Sequence, residues 1–438
     1  MGDAPSRQAL GPQVGYGEVL RNREFRALFG AETLSIAGDQ VAKVAVALLV
    51  FARSHSPFLS ALTYGITYLP WLVGGPLLSS LADRYRRRSV MVFCDAARAL
   101  LVLAMATPHL PLPAMFGLLF CITLLEPPFS AARASMLPDV LTGESYVLGS
   151  SLNDIARQFG QVIGFAAGGA LVASLTTPGA LLFDAGTFVV SGVIVRRRVA
   201  DRPAAAAPGS RRRVLHDAGA GISAVFRNRV LRSLVLLAWS SAALTIVPEG
   251  LAVAYTAHHH GGSTAAGLLT AAFPIGAVLG GIATVRLLEP RTRARAMLPM
   301  AAWAYVPLLA TWSDPPIAVA LGLWTLAGTG TAFQLAANKL FVASVPSEWR
   351  GRAFGVAQTG ILAGQGIALA VGGALADHVP VGTVVAGCGL LGLLATALLA
   401  LTWPRGSVSE AADVAFAGSS PGRYLPITGE VEEKVPSP

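Results

Sequence analysis

Glu32, Ser35, Asp39 and Lys43 are spaced three, four and four residues apart inside an otherwise apolar stretch, so they share one face of a helix. Such a stripe can hold a proton, pair internally or meet a charged solute. Asp39 and Lys43, at i and i+4, are expected to pair. That pair either stays closed as structure or opens in one conformation and frees Asp39 for proton exchange. Glu126 is a second candidate: it stands in LLEPPFSAAR with no basic residue within one turn. Pro127 and Pro128 follow it and deprive nearby carbonyls of their helical donors. Glu126 is therefore a candidate for proton exchange, or else a carboxyl held by a hydrogen bond.

A further polar row runs through SSLNDIARQFGQVIG, where Asn153, Arg157 and Gln161 follow at four-residue steps. Asp154 lies beside them, with Arg157 placed to compensate it at i+3. Asp95 and Arg98 read as packing contacts near one end of their helix. Later in the chain Gln334, Asn338, Gln358 and Gln365 add uncharged hydrogen-bonding groups, and Glu249 follows Pro248. Trp239, Trp303, Trp324, Phe273 and Phe333 are available as an aromatic wall. His258–His260 are consecutive and cannot all reach one ion from a helix, so neither a metal site nor a cofactor is expected. The sequence holds no GxxxxGK[ST] loop and no catalytic constellation, so an ATPase or other enzyme is not expected.

What must position these groups is a membrane scaffold. The 438 residues are 53% hydrophobic and only 13% charged, with a mean hydropathy of +0.59. Soluble domains carry about 25% charge, so lipid must cover most of this exterior. Twelve apolar runs fall near 25–51, 58–81, 89–107, 113–136, 148–174, 178–195, 230–256, 264–288, 296–313, 316–342, 352–377 and 380–403. Each is about as long as a helix must be to cross a bilayer. The even-numbered turns carry Arg84, Arg86–Arg88, Arg196–Arg198, Arg291 and Arg350, whereas the odd-numbered turns carry only Arg53. By the positive-inside rule both termini are cytoplasmic in a multi-pass cell-membrane protein. The net charge of +9 is thus spent on orientation, and nucleic acid is not an expected partner.

The longest hydrophilic stretch divides the spans six and six. The expected organisation is an N-terminal segment (1–24), a six-helix bundle (25–195), a linker (196–229), a second bundle (230–403) and a disordered tail (404–438). Within the linker, Leu215, Ala218, Ile222, Val225 and Phe226 form one stripe, as in a helix lying on the inner leaflet. Cys94, Cys121 and Cys388 read as small buried hydrophobes. The halves also look alike: GFAAGGAL (164–171) matches ALAVGGAL (368–375), and GPLLSSLADRYRRRSVM aligns with GIATVRLLEPRTRARAM.

The loop LADRYRRR, with Asp83 followed by Arg84 and further arginines, resembles the signature loop of the major facilitator superfamily, although Ser79 and Arg86 stand where glycines are usual. AETLSIAGDQVAKVA, AARASMLPD and LFDAGTF resemble its drug-efflux and siderophore-exporter branch. That resemblance implies an all-α fold of twelve helices in two pseudo-symmetric bundles. It also implies a cytoplasmic gate at Asp83, with Arg84, Arg87, Arg133 and Arg352 as partners near the start of the eleventh helix.

The expected function is export of an amphipathic organic compound by alternating access, driven by a proton gradient. Glu126, Asp39 and Glu32 are the coupling candidates, and Lys43, Asn153, Asp154, Arg157, Gln161, Gln334, Asn338 and Gln358 the polar cavity groups. The alternative is an importer or facilitator of a small nutrient on the same fold. Expected partners are the small-molecule substrate and membrane lipid, with the chain a monomer.

Overall fold

The computed structural model describes residues 15–78, 84–202, 222–223, 225–346 and 349–416, and among these the regular structure is entirely helical. A short α1 (Tyr16–Arg21) leads into α2 (Arg23–Ser54). Asn22 caps α2, its Oδ1 accepting from the backbone N–H groups of Glu24 and Phe25 at 3.0 and 3.1 Å. The second apolar run is broken into α3 (Pro57–Gly65) and α4 (Leu69–Leu78), followed by α5 (Arg87–Met105). The fourth run divides into α6 (Leu112–Leu124) and α7 (Glu126–Val140), so Glu126 opens a helix rather than sitting inside one. Its two following prolines cause the break: both fit the first helical turn and neither can donate to the turn before.

The fifth and sixth runs form α8 (Gly143–Arg198), interrupted at Thr176, whose φ of 65° turns the chain back. The second half contains α9 (Arg229–His258) and α10 (Ser263–Leu287), then the short α11 (Pro290–Arg295), α12 (Met297–Trp303) and α13 (Val306–Leu309). It closes with α14 (Ile317–Thr329), α15 (Phe333–Ser344), α16 (Arg350–Ala376) and α17 (Val381–Thr402), and α18 (Arg405–Phe416) follows. Eight helical stretches among the described residues are long and apolar enough to cross a membrane, α6 with α7 and α14 with α15 counting as one each. The remaining expected runs fall within α8 or on the broken and charged elements α3–α4, α5 and α12–α13. Leu100, Leu287, Leu398 and Leu401 point outward, as a lipid-covered exterior requires.

The internal duplication has a structural counterpart. In α8 an added Cβ on Gly169 would lie 2.3 Å from the Ser263 carbonyl and 2.9 Å from the Gly267 backbone in α10. The matching Gly373 of α16 would meet the Phe58 backbone of α3 at 2.9 Å. The repeated Gly-Gly pairs thus mark two places where helices of opposite halves approach closely, the use small residues have between membrane helices. Both contacts lie at the face away from the termini. The largest apolar cluster is there too, with Val44, Tyr64 and Phe165 packed against Leu251, Leu269 and Leu369. At the same face Asp377 accepts from Ser56 Oγ at 3.1 Å and from the Phe58 backbone N–H at 3.0 Å.

Three expectations change. The tail is not disordered over its first dozen residues: α18 buries Val408 and Ala412, one turn apart, and Asp413 lies 3.2 Å from Arg291. The linker stripe is not a single membrane-facing row, since Val225 is buried against α9 while Ile222 is exposed; Leu215 and Ala218 lie outside the described residues. Cys121 is exposed, unlike Cys94 and Cys388.

Candidate functional site

Two cavities hold the chemistry. The first, of about 80 Å³, is lined by residues of α2, α4, α5, α7 and α8 of the N-terminal half. Glu32, Asp39 and Glu126 line it together with Arg98, Arg133 and Arg157. Arg133 donates to Glu32 Oε2, and Arg157 Nη2 lies 3.3 Å from Glu32 Oε1. On the other side Trp71 donates its indole N–H to Glu126 Oε2 at 2.8 Å, and Arg98 Nη2 lies 3.5 Å from Glu126 Oε1. The Arg98 guanidinium also rests over the Phe129 and Phe188 rings, 5.6 and 5.2 Å from their centroids.

Several sequence expectations are corrected by this arrangement. Glu126 is not unpaired: its partners come from α4 and α5, where local spacing cannot show them. Asp39 and Lys43 do not pair within 4.0 Å, because Asp39 turns into the cavity beside Arg98 and Glu126. Arg157 does not compensate Asp154, which is exposed; it crosses to Glu32. Arg133, expected at the cytoplasmic gate, lines this cavity here, its guanidinium on Glu32. Arg98 is a cavity residue, not mere packing, whereas Asp95 keeps a packing role by accepting from Ser191 Oγ at 2.7 Å.

Asp184 of α8 was missed. It is buried at 1% exposure beside Asp39's helix, and a Cβ on Gly38 would approach its Oδ1 to 2.5 Å. Thr187 donates to its backbone carbonyl at 2.7 Å and faces its Oδ1 at 3.4 Å. The available signal was an acid in an apolar run followed by Thr at i+3.

The second cavity, of about 260 Å³, lies between the halves. Gln158 and Gln161 reach it from α8; Thr245 and Glu249 from α9; Phe273 from α10; Gln334 and Asn338 from α15; Gln365 from α16. Phe333 lines it as well, so two of the five expected aromatic residues do. Trp324 is fully buried, Trp239 donates to the Ala357 carbonyl at 2.9 Å and Trp303 to Thr329 Oγ1 at 3.1 Å. Gln358 is exposed and Asn153 is buried, both outside this lining.

At the face of the termini, Arg87 donates to Asp139 at 2.6 Å and to the Ser135 carbonyl at 2.7 Å. Arg84 is exposed, and Arg352 lies over the Trp349 ring, 4.9 Å from its centroid. Asp83, the centre of the expected gate, lies outside the described residues. His258 and His259 both face Asp314, at 3.1 and 3.2 Å.

The sequence profile of the Major Facilitator Superfamily matches residues 28–249 and 249–426. The chain belongs to that superfamily. It is accordingly a multi-pass membrane protein of a transporter family. The uncharacterised MFS-type transporter YfiS of Bacillus subtilis (strain 168) is 25% identical over 387 residues, 85% of this chain and 92% of YfiS. YkuC of the same organism, also an uncharacterised MFS-type transporter, is 27% identical over 230 residues, half of this chain. That match spans 53% of YkuC, about half its length. A bacterial homologue of the human lysosomal transporter Spinster, in an inward-facing and unoccupied conformation, superposes with a TM-score of 0.64. It shares 15% identity, and the match covers 95% of this chain and all of that one; the likeness is one of fold.

Proposed function

We propose that this superfamily member exports an amphipathic organic compound from the cytoplasm, by alternating access coupled to proton entry. Both termini are then cytoplasmic, and the face sealed by Asp377 and the glycine contacts is the outer one. The inter-half cavity takes the cargo, and the charged cavity beside it carries the coupling.

One observation carries this reading: three carboxylates and three arginines line one small cavity. With every group ionised the charges cancel. Protonating Glu126, Asp39 or Glu32 leaves a net positive charge where charge is costly, so the ion pairs rearrange or the cavity opens to water. A site whose protonation changes the favoured packing of its helices ties proton binding to the rocking of the halves. The membrane potential contributes about 2.3 kcal/mol per charge per 100 mV, enough to drive the cycle in one direction. The site residues Asp83, Arg84, Arg87 and Arg352 are proposed to close the cytoplasmic face in the opposite state.

Import of a small nutrient remains the second reading, favoured by the amides of the inter-half cavity, which make it more polar than the sequence of the second half suggests. Inverted vesicles distinguish the two. Under the export reading, an imposed gradient that is acid inside drives accumulation of a cargo fluorophore, and Glu126→Gln abolishes it. Accumulation that ignores the gradient and the substitution contradicts proton antiport. Uptake of a labelled hydrophilic solute by intact cells supports import.

A further inference from the structure

Among the described residues Glu249 is the only ionisable one lining the inter-half cavity, and it is 6% exposed. Among the described residues it has no hydrogen bond or ion pair; the cation acting on it is Lys43 of α2, which stays beyond ion-pair distance. Every other buried acid among the described residues faces a hydroxyl or shares the charged cavity with arginines: Glu32 has two, Asp95 accepts from Ser191, Asp184 faces the Thr187 hydroxyl, and Asp39 lines that cavity beside Arg98. A cation entering the cavity would supply the partner that a carboxylate needs to be buried there at low cost.

The surroundings specify that partner. Gln158, Gln161, Gln334, Asn338 and Gln365 offer five side-chain amides, each able to donate and accept. Phe273 and Phe333 offer apolar faces that tolerate a cation. From these we infer that the cargo is a protonated amine that also carries hydroxyl or amide groups, its ammonium on Glu249 and its polar groups on the amides. A neutral isostere loses the charge contact. A quaternary lipophilic cation satisfies the charge but leaves five amides unanswered, a poor exchange in a buried site. This deepens the exporter reading by naming its cargo class, and rests on that reading for the direction of transport.

The full-length protein in detergent is tested by thermal stabilisation with matched pairs: puromycin and N-acetylpuromycin, doxorubicin and N-acetyldoxorubicin, with tetraphenylphosphonium as the cation lacking hydrogen-bonding groups. The free amines are expected to raise the melting temperature, and their acetylated partners and tetraphenylphosphonium to bind at least about tenfold more weakly. Glu249→Gln, isosteric and neutral, is expected to remove the difference within each pair, while Glu249→Asp retains it. Equal stabilisation by amine and acetylated partner, amine selectivity that survives Glu249→Gln, or stabilisation by none of the amines overturns the inference. Reconstituted vesicles separate the two readings: an acetylated compound driven by a proton gradient leaves the exporter standing without the amine, and a bound amine that no gradient moves does the reverse.

Discussion

The Arg98 guanidinium stands 3.5 Å from the Glu126 carboxylate, joining the middle of α5 to the first residue of α7. Arg98 is almost wholly buried, and Asp39 lines the same space, so this one cation serves two acids. Arg98→Leu leaves both without it and is expected to cost about 3–5 kcal/mol, the usual penalty for an uncompensated buried charge. The double change Arg98→Leu with Glu126→Leu should recover part of that. Thermal unfolding in detergent checks both; a single variant as stable as the parent contradicts the pairing.

Glu32 has two arginines of unequal weight. The Arg133 side chain is 11% exposed and the Arg157 side chain 52%. Arg157→Gln is accordingly expected to change stability by no more than about 1 kcal/mol, as for a solvent-screened pair. Arg133→Gln should cost several times as much. Equal effects in the same unfolding assay would remove the asymmetry.

At the opposite face Asp377 receives Ser56 Oγ and the Phe58 N–H across the two halves. Hydrogen bonds to a charged acceptor contribute about 1.5–3 kcal/mol each. Asp377→Ala should therefore shift the balance of conformations roughly tenfold or more toward the state open at that face. Distances between spin labels on α3 and α16 report it, as a growing long-distance population.

The glycine approach makes a steric prediction. A methyl group at Gly267 would lie 2.7 Å from the Gly169 backbone, too close for either helix to keep its place. Gly267→Ala should open the same face without any change of charge, and Gly169→Ala should match it by symmetry of the contact. A double variant no more open than either single one follows if both act at one interface.

Much of this is legible in the sequence. The polar face of Glu32, Ser35 and Asp39 emerged from helical spacing alone, as did the repeated Gly-Gly pairs that mark the close approaches. What spacing could not give was partners from other helices. Lys43 was the neighbour in sequence, yet Asp39 turned toward Arg98 because α2 faces α5 and α7 at that level. Glu126 looked alone for the same reason, as Trp71 and Arg98 are remote in sequence. The tail offered no long apolar run, yet Val408 and Ala412 were enough to seat α18 on the second half. Glu249 is visible as an acid after a proline, but not as the ionisable group of the inter-half cavity, since that depends on which residues of α8, α10, α15 and α16 surround it.

The coupling claim is tested most directly by counting protons released when cargo binds to purified protein in weakly buffered solution. About one proton per cargo bound is expected from the parent and fewer from Glu126→Gln or Asp39→Asn, with cargo binding retained in at least one of them. Binding without proton release from the parent, or the same release from both variants, would contradict proton-coupled transport through the three acids and three arginines.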